Sequence, residues 1–506
     1  MIPRPEERIK LAYVHDPPGK PTIETRWRDP TFLAERGFTD VVVADQLSGC
    51  LSLTMESADQ EVAGPIFEAL GQRVKENLDA GLRPWVMEDL FTLSKEDAKS
   101  SGGCPFDDDL WRAIATNIQS LFHQLPDLEG IIFRFGEAFE THPWASRVSP
   151  FQCECALCQR RGKVGAVSRM VSELEELICN ELGMRCILRL WDLGDDGIHA
   201  DSEQQSAALA SWNENPRLVV SVKHSATDYW RHQPWNESVQ LDGPPRILEF
   251  QCEREYEFLG MVPNWLGHHW ANGFPECDEV GRAGLANCRP QDWAGSYIIP
   301  RGGGWSAEHA TDDFWSEMNA HAIIALTDDP TTDPSKILDH FLKMSGFDDI
   351  NSRAAFAALI EKSSELVLHL RYLPTYHDLT NQLWMPSNNW FRDDTFVPGA
   401  CADVANLVTS ADRADLLRSE RAFATIFAKN QLATAESLFA ADNPLADHKR
   451  ADFILDSYRW AHNFATLTEQ LWHRLLDTAP LDRADAKRII KETLGETPHA
   501  PLKCLD

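Results

Sequence analysis

One feature constrains this chain more than any other: a unit that repeats eight times between residues 9 and 299. A short β-branched apolar run ends in polar or acidic residues, a helix-like segment follows, and the next run begins. The runs are Ile9–Val14, Asp40–Val43, Pro84–Met87, Gly130–Phe135, Arg185–Leu190, Leu218–Val222, Arg246–Phe250 and Ser296–Ile299. Their length and composition read as buried strands. Amphipathic stretches at Gly64–Asn77, Leu110–Phe122 and Val164–Leu182 read as helices between them. Alternating strands and helices give a parallel sheet. Eight units predict closure into a (β/α)8 TIM barrel. No glycine-rich phosphate loop follows the first strands, which argues against a doubly wound open sheet.

After about residue 305 the pattern changes. Thr311–Leu326, Asp333–Met344, Ser352–Leu368, Ala402–Ala428, Arg450–Asp477 and Asp482–Leu494 read as helices with no strand between them. The expected division is a catalytic barrel over 1–310 and an all-α C-terminal domain over 311–506. With 48 Lys+Arg against 78 Asp+Glu, the formal charge is −30. Such a surface repels phosphate backbones and anionic bilayers, so neither a nucleic acid nor a membrane is an expected partner. No apolar run is long enough to span a bilayer, and the first residues, MIPRPEERIK, carry no apolar signal core. Twelve cysteines are too dilute for a disulfide scaffold. A cytoplasmic protein is the expectation.

In a (β/α)8 barrel the chemistry sits at the C-terminal ends of the strands. The residues closing the runs include His15 and Asp16, Asp45, Glu88 and Asp89, Glu137, then Arg189, Trp191 and Asp192. Lys223, His224 and Asp228 follow, then Glu249 and the segment Arg301–Trp305. Carboxylates gathered on one rim suggest glycoside hydrolysis, which needs one protonated and one ionised carboxyl about the scissile bond. The plainer reading of each acidic residue is a cap on the following helix. Tryptophan is abundant, 17 against 7 tyrosines, and indole faces stack on sugars. Trp191, Trp230, Trp265 and Trp305 lie beside these segments as stacking walls or as ordinary packing. His224 should face away from Lys223 along the strand. His268 and His269 read as rim or surface histidines.

From about Gly130 to Gly346 the chain resembles glycoside hydrolase family 67, the α-glucuronidases. Three segments carry the resemblance: FRFGE ending in Glu137, VKHSATD with Lys223 and Asp228, and LEFQCEREYE with Glu249. The resemblance implies an inverting exo-glycosidase releasing an α-linked uronic acid from an oligosaccharide, by an enzyme that needs no cofactor. Glu137 would be the general acid, and Asp228 and Glu249 together the base. Arg189 and Lys223 would clamp the sugar carboxylate. The Asp228-to-Glu249 interval is shorter than the family pattern. Two alternatives stand beside this reading. One is a glycosidase of the same barrel type acting on a neutral or amino sugar. The other is a non-catalytic carbohydrate-binding barrel.

The segment FQCECALCQRR, which the family does not explain, places Cys153, Cys155 and Cys158 at C-x-C-x-x-C spacing. Such thiolates can hold a structural zinc or an iron–sulfur cluster, with Cys104 or His142 as fourth ligand. The alternative is three free thiols. The connector Asn388–Asp394 is either an exposed link between helices or a segment capping the pocket, from a second subunit if the protein is a homodimer.

Overall fold

The fold is that of a computed structural model of the chain. It describes residues 8–14, 26–45, 47, 57–94, 99, 102–135, 145–147, 150–151, 153–191, 198–229, 233–254, 256–277, 283–289, 293–301, 312–380, 391–392, 395–396, 398–477, 483–494 and 503–504.

Eight parallel strands close into a barrel in chain order. They are β1 (Ile9–Ala12), β2 (Asp40–Ala44), β3 (Arg83–Asp89), β4 (Gly130–Arg134), β5 (Arg185–Arg189), β6 (Leu218–Lys223), β7 (Arg246–Gln251) and β8 (Trp293–Ile299). Each coincides with one of the eight sequence runs. β8 returns to pair with β1, Ile9 lying opposite Gly295. Gly295 is required there. Its φ is 144°, and a Cβ would sit 2.0 Å from the Ile9 carbonyl oxygen.

The two-residue period of a strand sorts the side chains. One parity points into the barrel, where Leu11, Val42, Met87, Ile132, Ile187 and Ile247 form a separate apolar cluster. The other parity, including Val43, Val86, Ile131, Leu188 and Leu248, joins the larger cluster under the helices. The pleat then dictates what comes next. Two positions beyond Met87, Ile132, Ile187 and Ile247 stand Asp89, Arg134, Arg189 and Glu249. A charged layer therefore lies directly on an apolar plug at the C-terminal mouth.

The outer helices are uneven. Asp108–Gln124 and Ser202–Leu209 are regular, Ser57–Asp79 carries Pro65 in its interior, and Glu237–Gln240 between β6 and β7 is a single tight turn. The stretch expected at Val164–Leu182 starts at Ala156, breaks at Gly162 (φ 60°) and ends in a wide π-type turn over Glu175–Glu181. Asp107 and Asp201 cap their helices through the side chain.

Beyond β8 the chain is essentially helical. Phe314–Asp328 packs on β8 and β1: Thr327 bonds to Ser296 at 2.7 Å, and its carbonyl accepts from Arg8 at 2.8 Å. The same helix closes the barrel's outer ring and opens the all-α region. The single helix expected at Ser352–Leu368 is two, Ile350–Glu361 and Ser363–Arg371. That expected at Ala402–Ala428 is also two, Pro398–Ser410 and Ala414–Leu438, separated at Asp412, whose φ is 56°. Buried Glu317 fastens the helical region to the barrel by accepting from Arg26, Arg36 and Arg450. No described helix is long and apolar enough to cross a membrane.

Candidate active site

The mouth of the barrel is built from inward-facing strand ends and the loops that follow them. Arg189 and Glu249 are at its centre. The guanidinium donates from Nε at 2.9 and 3.0 Å and from Nη2 at 2.9 Å to the two carboxylate oxygens. Ser221 donates to Oε1 at 2.8 Å and Tyr229 to Oε2 at 3.0 Å. Glu249 is fully buried. Burial alone would push its pKa up, but the charge and hydrogen bonds of Arg189 outweigh that and hold it below the usual carboxylate range.

Asp228, five residues past β6, is built differently. Its side chain is 19% exposed, against 3% for Lys223 beside it. Lys223 Nζ donates to Oδ1 at 2.6 Å, the Tyr229 backbone N–H to Oδ1 at 3.0 Å, and the Tyr256 hydroxyl to Oδ2 at 2.5 Å. Burial raises the Asp228 pKa, but the Lys223 charge and these hydrogen bonds reverse it, and the net shift is downward. Lys223 Nζ lies 3.4 Å from the Trp191 ring centroid and 4.5 Å from that of Tyr229. Both rings lie within cation–π reach of the ammonium.

Two buried histidines support this corner. His199 accepts the Lys223 backbone N–H on Nε2 at 3.0 Å and meets Trp191 edge-on. His224 stacks on Phe250 at 4.8 Å and bonds the Glu249 carbonyl at 2.9 Å. Burial, the largest cause in each, brings both pKa values down to about 3, so both rings are neutral. On the opposite side of the mouth Arg134 donates to Asp89 at 3.0 Å and lies 3.9 Å from Asp45, which accepts from Tyr13 at 2.9 Å.

The loop after β7 links this mouth to the helical region. Arg254, Phe258 and Leu259 hold positive φ values of 63°, 77° and 53°, conformations that L-residues keep only when their surroundings impose them. Arg254 chelates Glu257 at 2.9 Å through two nitrogens, and Asn264 and Tyr372 also donate to Glu257. Phe258 packs edge-on against Trp460 and Phe464. Arg371 grips the Tyr256 carbonyl at 3.0 Å. A helix of the C-terminal region thus positions Tyr256, and Tyr256 positions Asp228.

The structure brings together Arg189, Trp191, Lys223, Asp228 and Glu249 as the sequence reading expects. Glu137, Trp230 and Trp305 lie outside the described residues, as do His142, Asp192 and nearly all of the connector Asn388–Asp394. Two expectations need correction. Trp265 is 1% exposed within the core cluster, its backbone N–H bonded to Ser363, so it offers no face to a sugar. Arg189 and Lys223 are not an open clamp, because each is ion-paired with one of the expected catalytic carboxylates. His268 pairs with Glu361 at the surface at 2.8 Å.

Ser221, Tyr229, Tyr256 and His199 were absent from the sequence reading. Ser221 was recoverable from strand parity, since it shares the inward face with Lys223. Tyr256 lies within the LEFQCEREYE segment. His199 sits in a loop without any pattern to mark it. Glu88 is a decoy: burial, then the Asp89 charge, push its pKa up to about 8. Its parity, however, turns it away from the mouth, toward Thr92 and the Asp89 backbone N–H. As for metal ligands, Cys104, Cys153, Cys155 and Cys158 form a group of four, on the loops after β3 and β4 and the start of the helix at Ala156.

No protein-family model matches the chain, and no curated protein matches it. Among solved structures, a mutant of the Thermobaculum terrenum O-GlcNAc hydrolase aligns with 97% of this chain and 87% of its own, at 10% identity and a TM-score of 0.43. CpGH84B aligns with 98% of this chain and 75% of its own, at 7% identity and a TM-score of 0.46. These are likenesses of overall shape, and the chemistry has to be read from the chain's own residues.

Proposed function

We propose that the chain is a barrel-type glycoside hydrolase whose reaction centre is the mouth around Asp228, and that its substrate carries a neutral or amino sugar. One observation carries this reading: a partly exposed carboxylate at the end of β6, held ionised by Lys223 and Tyr256 beside aromatic faces. Glycoside hydrolysis needs an ionised carboxylate of this kind opposite a protonated one. Asp228 fits the first role, as a base that orients water at the sugar carbon, which makes the reaction inverting. Glu137, three residues beyond β4 in sequence, is proposed for the second, protonating the leaving oxygen.

Glu249 fits neither role. Its oxygens accept from Arg189, Ser221 and Tyr229, as those of Asp228 accept from Lys223, Tyr229 and Tyr256, but its side chain is fully buried where that of Asp228 is partly exposed, so it serves as the fixed counter-charge on the floor of the mouth. The same pairing argues against a uronic acid. A sugar carboxylate taking Arg189 would displace Glu249 and leave a fully buried carboxylate without its cation, and one taking Lys223 would compete with Asp228. The test is a panel of aryl glycosides of neutral, N-acetylamino and uronic sugars. Turnover of a neutral or amino-sugar glycoside, with the inverted anomer released first by NMR, supports the reading. Turnover confined to the uronic glycosides overturns it.

A further inference from the structure

The loops that follow β3 and β4 are joined twice. Thr92–Ser94 of one pairs antiparallel with Ala145–Arg147 of the other. Further along, Cys104 of the first loop meets Cys153 and Cys155 of the second and Cys158 in the first turn of the helix that follows it, with all four sulfurs within 4.8 Å of one another. We propose that these four cysteines bind a single zinc ion in a closed tetrahedral site that staples the two loops together.

The spacing suits one ion. A tetrahedron with Zn–S bonds of about 2.3 Å sets its sulfurs about 3.8 Å apart along each edge. Cys104 Sγ lies 3.8 Å from Cys155 Sγ and 3.5 Å from Cys158 Sγ. An iron–sulfur cluster puts several metal atoms between its thiolates and needs a wider frame. A disulfide would join one pair and leave no reason for the other two sulfurs to converge. Four thiolates with no oxygen or nitrogen donor select a soft tetrahedral ion, and a site filled by four protein ligands is structural.

The local backbone is already arranged for this. Cys155 is the N-cap of the helix beginning at Ala156, and its sulfur accepts the Cys158 backbone N–H at 3.3 Å. That bond orients one sulfur and partly neutralises it, as outer partners of metal ligands do. There is also a way in. Cys155 is exposed, and a groove of about 630 Å³ runs against Cys153 and Cys158, bordered by Phe151, Gln159 and Lys163. The proposal does not depend on the glycosidase reading, because no residue of the mouth takes part.

The probe is zinc itself. Protein reconstituted with Zn²⁺ under reducing conditions and passed over a desalting column should retain about one zinc per chain. Co²⁺ in its place should give the intense visible bands and thiolate-to-metal charge transfer of a tetrahedral sulfur site. Cys104→Ser and Cys158→Ser should lose the ion, while Cys277→Ser, outside the cluster, should keep it. Chelation should lower the melting temperature, since Cys104 and Cys155 are 51 residues apart in the chain. Wild-type protein that is folded, retains no zinc and gives only octahedral Co²⁺ spectra would overturn the site. Stoichiometric iron retained in preference to zinc would overturn the assignment of the ion.

Discussion

The barrel mouth and the cysteine cluster both gather chemistry-bearing side chains at the C-terminal end of the strands, yet they are satisfied in opposite ways. In the mouth, Arg189 faces Glu249 and Lys223 faces Asp228, and hydroxyls from Ser221, Tyr229 and Tyr256 fill the remaining positions. Within these two pairs charge is balanced, and Asp228 alone of the four is partly open to solvent. In the cluster four sulfurs face one another. No member can neutralise another once they ionise. A balanced group needs no ligand to be stable and can offer one exposed member for chemistry. An unbalanced group of thiolates is completed by a cation. The mouth is therefore read as a reaction centre and the cluster as a staple.

Breaking the balance should have the largest structural effect. Glu249→Leu leaves Arg189 buried without its carboxylate, and removing one partner of a buried pair costs about 3–5 kcal/mol. Denaturant unfolding should show that loss, Arg189→Met/Glu249→Leu together should recover much of it, and zinc content should not change. If the single variant is as stable as wild type, the pair does not organise the mouth.

A smaller effect tests the link from the helical region to Asp228. Tyr256→Phe removes one hydrogen bond to the carboxylate, so the Asp228 pKa should rise. The acid limb of the kcat/KM profile should then move to higher pH, while the melting temperature changes little. An unmoved limb with reduced kcat would place Tyr256 elsewhere in the mechanism.

An effect on stability alone concerns Glu88. Its folded-state pKa of about 8 lies above the ordinary 4.5, so the fold binds the proton more tightly than the unfolded chain does. Stability from this group is full below about pH 4.5 and is lost as pH rises toward 8. Glu88→Gln should flatten that part of the stability profile and leave turnover intact. His199 and His224 act with the opposite sign. Both are held neutral in the fold, so protonation of the unfolded chain lowers stability as pH falls below about 6.5.

The barrel was legible because each strand is a short apolar run closed by polar residues, and parity then places Arg189 and Glu249 in one layer. What parity does not show is that they grip each other, because the contact joins β5 to β7 across 60 residues. The reading of Arg189 and Lys223 as a free clamp failed for that reason. Trp265 misled because proximity to an acidic segment says nothing about burial, and the WLGHHW stretch turns its first indole into the core. The two extra helix breaks were missed because Lys362 and Asp412 are not glycine or proline. Cys104 could be named beside His142 as a candidate fourth ligand because a tetrahedral ion takes four; that its sulfur converges with the other three is visible only in the structure.

The most direct test of the central claim is the turnover of Asp228→Asn on whichever aryl glycoside the wild type cleaves best, with folding and zinc content verified as unchanged. The account predicts a fall in kcat of about 10²- to 10⁴-fold, the contribution of a general base. Turnover within a few-fold of wild type would contradict it.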